Sequence, residues 1–188
     1  MKLSDAAYYP KDRIDAEEVD RRTYVGVENL LQNRQGKIDA GSFPRNGKIP
    51  AYRQGDVLIG NIRPYLRKIW LADSAGGTNG DVLVVRTLEE TVVCPRYLFH
   101  VLSAEQFFQY FSGKAKGAKM PRGDKMSILD YQFPLPPLAE QKRIVSILDR
   151  FDALCGDSTA GLPAEIAARK RQYEYYREKL LAFGEKTR

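Results

Sequence analysis

Apolar positions along the chain change period once, near residue 95. Between residues 55 and 87 they come in short runs bounded by glycine, asparagine and aspartate, which predicts strands. Gly55–Ile62 (GDVLIGNI) opens on a Gly-Asp turn, Arg63–Lys68 (RPYLRK) interrupts with three positive charges, and Ile69–Ala72 resumes the strand pattern. SAGGTNGD then predicts a glycine-rich turn, and Asp81–Thr87 (DVLVVRT) a further strand. Earlier, Thr23–Leu30 (TYVGVENL) has strand composition, and Gln32–Gly47 is loop-like. From Pro95 the period becomes helical. Leu98, Val101, Leu102, Glu105, Phe108 and Phe111 step by three and four behind a proline suited to a first helical turn. One helix over Pro95–Phe111 is expected. A basic, glycine-punctuated loop, SGKAKGAKMPRGDK, follows.

Beyond it, Pro134, Pro136 and Pro137 cannot lie inside a helix or a central strand. They predict a stiff extended link that directs the last helices away from the body. Ile144, Ile147, Phe151 and Leu154 step by three, four and three, the seam of a coiled coil. CGDSTAG breaks that helix, and Pro163 opens a second one with a seam of Ile166, Arg169, Tyr173, Tyr176, Leu180 and Phe183. Helices this short are marginal alone. Their stripes must pack on each other, on the preceding domain or on another chain. The pattern predicts an α+β fold: a mostly antiparallel sheet domain with helices over residues 1–135, then an antiparallel coiled-coil extension over 136–188.

Composition narrows the partner. The 188 residues carry a net charge of +6. It is −2 over residues 1–30, +6 over 31–137 and +2 over the remainder. The positive excess sits in the body, which suits a polyanion. Cys94 and Cys155 match no metal or redox spacing, and the N-terminus has no apolar signal core. No apolar run approaches the length of a bilayer span. A cytoplasmic protein with reduced thiols is expected.

Several segments resemble a known family. LPAEIAARKRQYEYYREKLLAF, with the run Tyr131–Leu154, resembles the conserved spacer of the DNA-specificity subunit of type I restriction–modification systems. YVGVENL, GDVLIGNIRPYLRKIWLA, TNGDVLVVR and KMPRGDKMSILDYQFPLPPLAEQKRIV resemble one target-recognition domain of the same family. The usual member holds two such domains and two spacers, so this chain resembles a half-subunit. The resemblance implies a non-catalytic reader of one half of a bipartite site in double-stranded DNA. Its spacer helices would pair with a second set, as in a homodimer, and dock DNA methyltransferase subunits, which restriction subunits join. The geometry agrees: a second helix of about 30 Å roughly matches one turn of B-DNA, about 34 Å. Ile144, Ile147, Phe151, Leu154, Ile166, Tyr173, Tyr176, Leu180 and Phe183 are the expected partner-binding residues.

Phosphate contacts need Lys or Arg on exposed loops. Lys114, Lys116, Lys119 and Arg122 lie in the glycine-punctuated loop; Arg63, Tyr65, Arg67 and Lys68 combine cations with an aromatic ring. Arg34, Lys37, Arg45, Asn46 and Lys48 occupy the long polar loop. Thr78 and Asn79 could reach base edges, although an Asn-Gly turn needs no such role. Each group has an ordinary alternative as solvated surface.

Catalytic signatures fail on context. LPPL has the prolines of an adenine methyltransferase motif without its polar and aromatic partners, and neither glycine-rich turn precedes a helix. His100 lacks a neighbouring nucleophile or acid and is expected at the surface. No cofactor and no metal ligand set is predicted. A nuclease or methyltransferase, and a coiled-coil DNA-binding or scaffold protein without a restriction–modification partner, remain as alternatives.

Overall fold

The computed structural model describes residues 1–156 and 163–182, with side chains over 1–152 and 167–182. The strands are β1 (Ala7–Tyr8), β2 (Arg13–Asp15), β3 (Tyr24–Val25), β4 (Lys48–Tyr52), β5 (Val57–Gly60), β6 (Ile69–Leu71), β7 (Gly76–Thr78) and β8 (Val82–Thr87). The helices are α1 (Pro95–Leu102), α2 (Glu105–Gly113), α3 (Lys125–Leu129), α4 (Leu138–Gly156) and α5 (Pro163–Leu181).

The first sheet has the order β1-β8-β5-β6 and is antiparallel throughout, with Leu58 opposite Val84 on one side and Trp70 on the other. Both its faces are apolar because both are covered. Val57, Ile59, Leu83 and Val85 point to the helices; Leu58, Val82 and Val84 point to a smaller cluster with Val25 and Tyr52. Alternation over two covered faces yields the near-continuous apolar runs that mark these strands in the sequence.

The second sheet, β2-β4-β7-β3, corrects the reading of SAGGTNGD as a turn. Gly76 and Gly77 form β7, paired antiparallel with β4 and parallel with β3. A Cβ at Gly76 would collide with the Thr23 carbonyl oxygen, and one at Gly77 with Ile49. The glycines permit close approach of the Thr23 backbone and the Ile49 side chain rather than a bend.

The single helix expected over Pro95–Phe111 is two. Ser103 ends α1, and Ala104 is extended (φ −67°, ψ 152°) before α2. The apolar steps run through the break because both helices face one core. The break is supported from elsewhere in the chain. The carbonyls of His100 and Ser103 accept from the guanidinium groups of Arg177 and Arg34, and the Glu105 N–H donates to Glu178. These are the unsatisfied groups of helix ends, and no local sequence signal records their partners. Helix α3 also escapes the sequence reading; Asp124 caps it by accepting from the Met126 and Ser127 amides.

The proline link does not direct the last helices away from the body. Tyr97 Oη donates to the Pro134 carbonyl at 2.8 Å. Gln141, fully buried, donates to the Val92 and Pro136 carbonyls and accepts from the Cys94 amide. Helix α4 therefore lies along α1, and Ile144, Leu148, Tyr173 and Leu181 join the same core as the first sheet. Asp152 faces Tyr173, and Asp149 and Arg177 both reach His100, so α4 and α5 run in opposite directions. None of the described helices is long and apolar enough to cross a membrane.

Candidate nucleic-acid interface

Three loops distant in sequence meet at one rim of the sheets. Ile62 and Lys116 both pair with Arg122, the Arg63 amide donates to the Pro121 carbonyl at 2.8 Å, and the Gly123 amide to that of Asn61. The Asn61 amide donates to the Asp81 carbonyl, which brings the Asn79–Asp81 turn to the same place. Arg63, Tyr65, Lys114, Lys116, Lys119 and Arg122 are all exposed there, and Asn79 is half-buried. Arg122 pairs with Asp81 at 2.9 Å and Lys116 with Asp124 at 3.0 Å, while Lys114 lies over the Tyr110 ring. Lys116 holds the Asp124 carboxyl below the ordinary range, with capping amides adding to the effect. Arg63 and Lys119 face no carboxylate at ion-pair distance among the described residues. The loop of Arg45, Asn46 and Lys48 is exposed as well, and its Phe43 sits 6.4 Å from Tyr24 of β3, beside β7.

Other expected DNA contacts are engaged inside the protein. Arg34 forms a bidentate ion pair with Glu174 and donates to the Ser103 carbonyl. Lys37 Nζ donates to the Arg22 carbonyl and lies over the Trp70 ring. Arg67 pairs with Glu105 at 2.6 Å. Lys68 donates to the Val27 carbonyl, and burial lowers its pKa against the opposing pull of Glu28. Thr78 is fully buried and donates to the Val25 carbonyl, so it does not face a base edge. Asn79 accepts from the Asp81 amide at 3.1 Å and shapes its own turn. Asn33, Arg34, Arg63 and Arg67 all hold a left-handed backbone, with φ of 54°, 64°, 51° and 52°. That conformation costs any residue with a Cβ about 1–2 kcal/mol, so long-range contacts must hold these loops.

The seam expected to bind a partner is largely spent on the chain itself. Ile144 is fully buried and Tyr173 nearly so; Ile147, Phe151 and Leu180 are half-buried. Tyr176 remains 41 % exposed and stacks on Phe151 with an interplanar angle of 12°. The Leu154 and Ile166 side chains and Phe183 lie outside the described residues.

His100 is buried rather than exposed: the α1–α4 contact covers it, and Nε2 lies 3.0 Å from Asp149 Oδ1. Burial lowers its pKa more than the Asp149 bond raises it. Burial raises the Asp149 carboxyl, but its bonds from His100 and Arg96 prevail and lower it. Asp152 lies close enough to share a cation with this pair. Arg96 already holds Asp149, however, and the buried Arg177 adds positive charge beside them, so the cluster is an ion-pair latch. Of the acids that engage Arg34, Arg67 and α2, Glu105 enters the sequence reading only as a helical step, and Glu174 and Glu178 have no role in it. Only their i, i+4 spacing on α5 was available as a signal, for Glu174 and Glu178.

The profile of the type I restriction modification DNA specificity domain matches residues 24–168. The chain is 36 % identical over 105 residues to the type I restriction enzyme EcoR124I/EcoR124II specificity subunit of Escherichia coli, covering 56 % of this chain and 26 % of that one. It is 31 % identical over 171 residues to the type I restriction enzyme MpnII specificity subunit of Mycoplasma pneumoniae, covering 80 % of this chain and 50 % of that one. The chain thus spans half or less of the length of these relatives. Its fold matches the crystal structure of the HsdS subunit from Thermoanaerobacter tengcongensis with a TM-score of 0.62 at 24 % identity, covering 96 % of this chain and 46 % of that one.

Proposed function

Since the chain belongs to the type I restriction modification DNA specificity family, we propose that it reads one half of a bipartite target in double-stranded DNA and positions methyltransferase subunits over it. It contributes recognition, and the partner supplies the chemistry. Residues 1–135 are the reader and 136–188 the spacer. Two chains pair through their spacers in the cytoplasm, which makes the half-sites inverted copies, and a restriction subunit joins the methyltransferase.

One observation supports the reading above the others: three loops converge on one rim and expose Arg63, Tyr65, Lys114, Lys116, Lys119 and Arg122 together. Such a surface offers phosphate contacts on all sides of a few groups able to read bases. Arg45, Asn46 and Lys48 extend it, and Asn79 sits at its edge. For the spacer, the surface left to a partner is Ile147, Phe151, Tyr176 and Leu180 rather than the whole seam.

The deciding experiment is methylome sequencing of a host carrying this chain with its cognate methyltransferase. A bipartite motif with a fixed gap is expected, and it should vanish when Arg63, Lys119 and Arg122 are changed to alanine. Methylation without a motif, or a motif that survives the triple change, refutes the reading. Sedimentation of the Tyr176→Ala chain tests pairing: a mass unchanged from that of a dimeric parent would remove Tyr176 from the interface.

A further inference from the structure

We infer that Glu174 and Glu178 of the spacer helix α5 are positioning residues for DNA reading, acting through a closed ring of bonds on the loop that presents Arg63 and Tyr65. This deepens the proposed function and rests on it. The ring can be followed atom by atom. The Glu174 carboxylate holds the Arg34 guanidinium in a bidentate pair. The Arg34 amide donates to the Arg67 carbonyl at 2.9 Å. The Arg67 guanidinium donates to the Glu105 carboxylate at 2.6 Å. The Glu105 amide donates to Glu178 Oε1 at 3.2 Å. Glu178 lies one turn from Glu174 on α5, which closes the circuit.

Two features make the ring more than surface ion pairing. Its backbone corners are unfavourable by themselves, because Arg34 and Arg67 are left-handed, as is Arg63 at the start of the same turn. Residues with a Cβ hold that conformation only where surroundings impose it. The first N–H of α2 also has no local cap, because Ala104 lacks a side-chain acceptor, and Glu178 fills that role from the spacer. The single turn Pro64–Leu66 thus stands between Arg63, whose amide donates to the Pro121 carbonyl, and the ring-held Arg67, with Tyr65 at its tip 55 % exposed. The spacer then does two things: it measures distance, and it sets the posture of a reading loop in its own half.

The sign of the effect separates this from plain electrostatics. Removing two acids near a polyanion site should raise DNA affinity if charge alone matters. A positioning role instead lowers discrimination while leaving non-specific binding intact. The test uses the full chain in complex with its methyltransferase subunits and a pool of randomised duplexes. In the Glu174→Ala, Glu178→Ala variant, enrichment of the selected motif should fall about tenfold, the scale of a single base-reading interaction. Binding to bulk duplex should be unchanged or tighter, and amides of residues 61–68 should exchange faster with solvent. Arg34→Glu should show the same loss, and pairing it with Glu174→Arg, which rebuilds the ion pair but not the bond to the Ser103 carbonyl, should recover part of the enrichment. Unchanged enrichment with slower or equal exchange overturns the inference, as does faster exchange with full discrimination, which would leave the ring merely structural. An unvaried chain that enriches no motif refutes the DNA-reading function itself, an outcome distinct from both.

Discussion

Arg63 and Arg67 stand four residues apart in one short loop, and both have a left-handed backbone. Arg63 is exposed and faces no carboxylate among the described residues; Arg67 is half-buried and pairs with Glu105 at 2.6 Å. The same contrast separates Lys119 from Arg34, which Glu174 and the Ser103 carbonyl hold. These cations are alike in sequence and differ in what lies across from them. A half-buried cation that an acid from another element holds is unavailable to phosphate, whereas an exposed one such as Arg122, paired with Asp81 in solvent, can exchange its partner. One left at a rim is available, and its neighbours of like sign make the rim attractive to a polyanion. The engaged set builds the platform from which the rim set is presented.

The largest effect should come from emptying the rim. Changing Arg63, Lys119 and Arg122 together to alanine should weaken DNA binding a hundredfold or more, at roughly 1–3 kcal/mol per side chain. The slope of log affinity against log salt should drop by about one for each phosphate no longer neutralised. Thermal unfolding should move little. A triple variant that binds normally would erase the distinction between the two sets. Next comes the platform: Arg34→Ala should cost about 1–2 kcal/mol in urea unfolding, because it strips Glu174 and the Ser103 carbonyl of a shared donor. A loss of DNA affinity without loss of stability would place Arg34 at the rim after all.

Acidification should act on the platform and spare the rim. His100 is held neutral by burial, with Asp149, Asp152, Arg96 and Arg177 facing it or its partner carboxylate. Its folded pKa lies below the unfolded value of about 6.5. The folded state thus binds fewer protons than the unfolded one below that pH, and stability declines as pH falls. The lowered Asp149 carboxyl adds a further loss in more acidic solution. Urea midpoints should decrease between about pH 7.5 and pH 5.5, and a His100→Gln chain should show a flatter profile over that window. The smallest effect belongs to Lys116, which is mostly exposed: removing its pair with Asp124 should leave the unfolding midpoint where it was.

Legibility in the sequence followed the range of the forces involved. The strands β5, β6 and β8 announce themselves because alternation and bounding turns are local, and α4 and α5 because a three-four seam is local. The polar loop at 32–47 and the interruption at 63–68 were legible for the same reason. Gly76 and Gly77 read as a turn because glycine is ambiguous between a bend and a close approach, and the Thr23 and Ile49 atoms that decide it are distant in sequence. The break after Ser103 was invisible because its capping groups come from Arg34, Arg177 and Glu178. The direction of the proline link does not follow from its composition, because Gln141, three residues beyond Leu138, pins α4 to Val92 and Cys94 of the body and to Pro136 of the link.

By itself the sequence determined the element types of β5, β6, β8, α4 and α5, the excess of positive charge in the body and the apolar stripes of the spacer-like helices. Each depends on neighbours within a turn or two of the chain. Tertiary structure decided which cations stay free, which face of the spacer remains open and how the rim is assembled. Those outcomes turn on pairings between residues dozens of positions apart, and periodicity carries no record of them.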